Sequence, residues 1–166
     1  MTFLPQKYRE SQADWFAKRG ISWYISVVYS GVSGPLEWQG FIHVMQSCSQ
    51  GSSQVVAIMQ DVLKTLKQQH GEITKAYFRQ DNAGCYHSSC TILACPAIAE
   101  STGVQVIGTD FSDPQGGKGA ADRFVVKCKG HVRVYINEGI DVCTRSQFQE
   151  ALLSYGGIEG GESSCN

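Results

Sequence analysis

The sequence predicts an α/β protein built on a mixed sheet flanked by helices. Three observations carry that expectation. Two runs rich in β-branched and aromatic residues flank a turn near the start, apolar residues recur at helical spacing further on, and strand-like and helix-like segments then alternate. At 166 residues the chain suits one domain with a buried core. Its 42% hydrophobic and 17% charged content belongs to globular rather than disordered proteins. One core is expected over residues 1–155, followed by a flexible Gly/Ser-rich tail over 156–166, "GGIEGGESSCN".

The first strand-like run is "GISWYISVVYS" (20–30). "GVSGP" (31–35) is turn chemistry, and "LEWQGFIHVMQS" (36–47) is the partner strand of a hairpin. The polar loop "SCSQGSS" (47–53) offers Ser52 or Ser53 as a helix N-cap. Val55, Met59, Val62, Leu63 and Leu66 then follow one helix face, and Gly71 stops it. "ITKAYFRQ" (73–80) is a strand that ends at Asp81. Residues 88–100 are helix-compatible, with a kink or a fresh start at Pro96. "GVQVIGTDF" (103–111) is a further strand. The Gly-rich loop "SDPQGGKGAAD" (112–122) leads into a helix from about Ala120 to Glu138, with Val125, Cys128, Val132, Tyr135 and Ile136 as its apolar stripe. "TRSQ" (144–147) is a capping box before a short helix carrying Phe148, Ala151 and Leu152.

Composition also narrows the partners. A formal net charge of −1 gives no overall field toward nucleic acid, so any such patch must be local. The opening "MTFLPQKYRE" has no long apolar run, and no stretch nears the roughly 18 apolar residues that span a bilayer, so an intracellular protein without a membrane partner is expected. Seven cysteines fit reduced thiols in that setting.

In open α/β sheets, sites gather at the carboxyl ends of strands. Asp81 is expected at one such end, and Asp110 and Asp113 at another. Asp122 opens the helix after the Gly-rich loop. On the residues alone, each has a plain structural account: Asp81 caps a turn, and Asp122 complements the helix dipole. The helix adds a basic face. Lys129 and Arg133 lie seven and eleven places after Asp122, on its side of the helix, with Arg123 and Lys127 beside them and Lys118 in the loop. That pattern suits a phosphate backbone and equally an ordinary solvated face. Amides at Gly116, Gly117 and Gly119 could cradle a phosphate.

Two segments carry a family resemblance. "RQDNAGCYH" (79–87) and "DFSDPQGGKGAADR" (110–123) resemble the catalytic core of integrases and transposases with a ribonuclease H-like fold. In that family an Asp-Asn-Gly turn closes the fourth strand, and a Pro-Gln…Gly segment leads to the last acid on a helix. Pro114, Gln115 and Gly119 stand in that order, and Asp122 follows Gly119 with two residues between. From about residue 3 to 158 the chain is similar to transposon-derived proteins of animal genomes. It departs from the pattern at three points: an extra residue before the turn glycine (Asp-Asn-Ala-Gly), Asp122 where Glu is usual, and one residue inserted in the Gly-rich loop.

The resemblance implies a ribonuclease H-like mixed sheet and metal-dependent DNA cleavage and strand transfer, the chemistry of transposable elements and DNA recombination. It implies Asp81 and Asp122 as catalytic acids and ligands of Mg²⁺ or Mn²⁺, supported by Asn82, His87 and Gly119. DNA is then the partner, bound through Lys118, Arg123, Lys127, Lys129 and Arg133; a homo-oligomer is compatible, and a nuclear location follows. The family's first acid sits on its first strand, yet 20–30 holds neither Asp nor Glu, and only two strands precede the first helix where three are expected. The expectation is therefore an N-terminally incomplete core, with "MTFLPQ" as the end of a shortened first strand and the enzyme inactive alone.

Two other functions compete. A host-retained module could bind DNA or protein without catalysis. A ribonuclease or exonuclease of the same fold would need a fourth acid, for which only Asp61 or Asp113 offers itself. Cys85, His87, Cys90 and Cys95 lack the paired spacing of a zinc site, and no zinc is expected. His43, alternating with apolar residues, is expected to be a satisfied sheet histidine.

Overall fold

The computed structural model describes residues 1–9, 20–31, 35–45, 51–112 and 119–165. The chain is mixed α/β, and its contacts divide it into two compact units. The first is assembled from Met1–Gly31, Pro35–Cys48 and Lys118–Asn166, the second from 32–34 and Ser49–Gly117. A split of this kind is hidden from a linear reading, because the first unit is closed by segments far apart in sequence.

The first unit holds a four-stranded sheet. β1 (Thr2–Phe3) pairs antiparallel with β2 (Ile21–Ser30), and β2 pairs antiparallel with β3 (Glu37–Met45) from Ser22↔Met45 to Ser30↔Glu37. The expected hairpin is present, and β1 adds a third strand ahead of the first long helix. Val, Ile and aromatic side chains suit these half-buried pleats. α4 (Ala120–Asn137) and α5 (Arg145–Leu153) complete the core. Trp23, Ile42 and Val44 of the sheet cluster with Val125, Cys128, Val132 and Ile136 of α4 and with Phe148, Ala151 and Leu152 of α5. Phe148 is central, stacked on Phe3 at 4.4 Å and meeting Trp23 edge-on at 5.4 Å. The capping box is as predicted: Thr144 Oγ1 accepts from Gln147 N–H, and Gln147 Oε1 accepts from Thr144 N–H.

The segment expected to be a flexible tail is structured instead. Gly161–Cys165 forms β6, parallel to β3 from Gly40↔Gly161 to Val44↔Cys165. Pairing needs only backbone groups, so Gly/Ser composition does not forbid it. Left-handed glycines at 156, 157 and 160 turn the chain onto the sheet edge.

The second unit carries α1 (Ser52–Gln69), whose stripe of Val55, Ile58, Met59, Val62, Leu63 and Leu66 is buried. Its N-cap is Gly51 rather than Ser52 or Ser53: no side chain caps the first-turn amides, and Gln54 Oε1 instead accepts from Gly51 N–H at 3.2 Å, which is the returning half of a capping box. β4 (Lys75–Gln80) and β5 (Gln105–Phe111) pair in parallel. Between them, α2 (Ser89–Leu93) ends before Pro96 and α3 (Cys95–Thr102) restarts with that proline in its first turn, as its fixed φ and missing N–H require. No helix among the described residues is long and apolar enough to cross a membrane.

Candidate functional site

The second unit places Asp81 directly after β4, at its carboxyl end. One carboxylate oxygen, Oδ1, accepts from Asn82 N–H at 2.7 Å, so the acid caps its own turn. Ala83 O then receives Tyr86 N–H, and Ser88 caps α2 by accepting from Thr91 N–H at 3.1 Å. This fold-back carries His87 to the end of β5, where its ring meets Phe111 edge-on at 5.9 Å. Burial, followed by the charges of Cys85 and Asp81, holds the Tyr86 phenol above its ordinary pKa. Asp81, Tyr86 and His87 therefore gather at the carboxyl ends of the β4–β5 pair.

Asp110 is the penultimate residue of β5, opposite Arg79 of β4. Its hydrogen bond with Tyr77 is the largest cause of that phenol's raised pKa. Asp113 and the Gly-rich loop, including Lys118, Gly116 and Gly117, lie outside the described residues. Asp61 sits half-buried on α1.

The first unit places Asp122 in the opening turn of α4. Its Oδ2 accepts from Gly119 N–H at 3.1 Å, and Gly119 O accepts from Arg123 N–H at 3.2 Å. Gly119 is thus the N-cap, and Asp122 returns to it from the third helical position. Arg123, Lys127, Lys129 and Arg133 are all exposed along α4, Arg123 and Lys127 in one row and Lys129 and Arg133 in another, with Val126 and Gly130 between the two. The sequence reading overlooked Trp38. This β3 residue stays partly exposed, with Lys127 Nζ 5.4 Å from its ring centroid and Phe124 edge-on at 5.8 Å.

Asp81 and Asp122 belong to different units, and each has one carboxylate oxygen engaged by a backbone amide. No group of three or more His, Cys, Asp or Glu side chains able to hold a metal occurs among the described residues. Mg²⁺ commonly takes one or two carboxylates and completes its shell with water and substrate phosphate, so the second carboxylate oxygen of Asp81 or of Asp122 is a donor of suitable type. Cys85, Cys90 and Cys95 are free thiols, and burial lifts the Cys95 pKa. Comparison of the sequence with known protein families and with curated proteins finds no match.

Proposed function

We propose that the chain is a transposase- or integrase-type core of the ribonuclease H-like class that binds DNA in the nucleus and is catalytically incomplete. The element order carries this reading: a three-strand antiparallel meander, a long helix, a strand ending at an acid, a helical crossover, a parallel strand, and a helix with an acid in its first turn. Asp81 and Asp122 are its catalytic acids and the ligands of Mg²⁺ or Mn²⁺. When bound, such ions stabilise charge on the attacking and leaving oxygens of a phosphodiester. The chain's own part is to hold the backbone phosphates through Arg123, Lys127, Lys129 and Arg133, with His87 beside Asp81. β1 carries no acid, so two of the family's three carboxylates are present in these residues.

A binding module without chemistry is the second reading, favoured by the amides that Asp81 and Asp122 already hold. The test is nicking of supercoiled DNA in Mn²⁺ together with retention of a labelled duplex at low salt, for the wild type and Asp81→Asn. Retention without nicking is expected, with affinity that rises on adding Mn²⁺ and loses that rise in Asp81→Asn. Retention indifferent to both metal and substitution selects the binding module. Absence of retention at low salt defeats both readings.

A further inference from the structure

We infer that the first unit carries a stacking platform for an unpaired nucleobase, so that the protein prefers single-stranded DNA to duplex. The inference rests on the DNA-binding reading above and names the form of DNA that the surface takes. Trp38 and Tyr29 stand directly opposite each other on β3 and β2, on one face of the sheet, yet they keep 39% and 51% of their surface exposed. Large aromatics left exposed side by side at the end of a largely buried sheet face present two rings to solvent, which suits a flat partner.

The platform is rigid from behind. Phe124 supports Trp38 edge-on at 5.8 Å and is itself buried. Gly160 lets the backbone approach so closely that a Cβ there would lie 2.5 Å from Trp38 Cη2. Charge selects the occupant. Lys127 places its ammonium over the indole at 5.4 Å, and Arg123 stands one turn earlier on the same row of α4. α4 carries four cationic residues, Arg123, Lys127, Lys129 and Arg133, against the single acid Asp122, in a protein whose net charge is −1. Glu37, next to Trp38, alternates to the opposite sheet face. A base that stacks on Trp38 displaces the flexible lysine stem, and the ammonium swings to the adjoining phosphate. Aromatic faces flanked by cations bind single strands in this way, whatever the base, because every base has a π-face.

Duplex DNA keeps its bases stacked on one another and offers only phosphates to this surface, which gives the test its contrast. The full chain is titrated at low salt with a labelled single-stranded oligonucleotide and with a duplex of equal length. The wild type, Trp38→Leu, Trp38→Phe and Lys127→Gln are compared, with far-UV circular dichroism as the folding control. Tighter single-strand binding is expected in the wild type. Trp38→Leu should weaken it about tenfold, Trp38→Phe should restore most of the loss, and duplex affinity should stay unchanged. Photocrosslinking of a 5-iodouracil oligonucleotide to the wild type, mapped by mass spectrometry, should mark Trp38 or Tyr29 and needs no variant to fold. Equal single-strand affinity in the wild type and Trp38→Leu, or crosslinks confined to other residues, overturns the platform while leaving DNA binding intact. Loss of binding to both forms in the wild type overturns the DNA reading itself.

Discussion

Tyr155 takes φ 53°, in the left-handed region that a bulky side chain rarely enters. Such a residue costs on the order of 1–3 kcal/mol and persists only where its surroundings hold it. Here its hydroxyl donates to Glu138 Oε2, and its ring meets those of His131 and Tyr135. The hydrogen bond to Glu138 is the main reason its phenol is pushed up to about 12. The folded state thus keeps this proton more tightly than the unfolded chain does. The stabilisation is complete below the ordinary phenol pKa of 10.0 and is lost as pH climbs from there toward about 12. Phenolate absorbance should accordingly show Tyr155 as a late-titrating tyrosine. Glu138→Gln should bring its midpoint down toward the ordinary value; an unmoved midpoint would assign the shift to another cause.

Helix and sheet meet closely where Phe124 of α4 lies over Gly40 of β3. A Cβ at Gly40 would come within 2.5 Å of Phe124 Cζ, and that ring is already fixed against Trp38. Gly40→Ala should therefore destabilise the protein by about 1–3 kcal/mol, the usual range for overpacking. Urea unfolding should show a lower midpoint at an unchanged slope, and an unshifted midpoint would mean that the ring yields freely. The contact was invisible in the sequence, because it depends on which side chain of a distant helix meets the glycine. Other features of these elements were legible. The stripe from Val125 to Ile136 follows the 3.6-residue period, Thr144 and Gln147 form their box, and Pro96 separates two helices. Each of these signals is local. β6 was missed because backbone pairing along Gly161–Cys165 leaves no apolar pattern to read. Gly51, rather than Ser52 or Ser53, takes the N-cap position, and Gln54 closes on its backbone N–H. Of the candidate site, the strand end at Asp81 and the first-turn position of Asp122 followed from local pattern. The engagement of each acid by a neighbouring amide, and their division between two units, did not.

A net charge of −1 over the whole molecule means that no long-range field draws DNA to it, so the proposed binding must rest on a local patch such as the basic residues of α4. Local contacts with phosphates release condensed counterions, and the logarithm of affinity then falls with the logarithm of salt by about 0.9 per phosphate for duplex DNA. If Arg123, Lys127, Lys129 and Arg133 each take one phosphate, the slope for the wild type should be about −3.6. Lys129 and Arg133 lie along the row that Asp122 begins, exposed and away from the buried stripe, so replacing both with Gln should leave the fold unchanged. The double variant Lys129→Gln/Arg133→Gln should flatten the slope by about 2 units and weaken duplex binding uniformly across sequences. Fluorescence anisotropy over a salt series measures both quantities at once. An unchanged slope would mean that these cations merely solvate the helix, and the proposed DNA surface would then have to be abandoned along this row of α4.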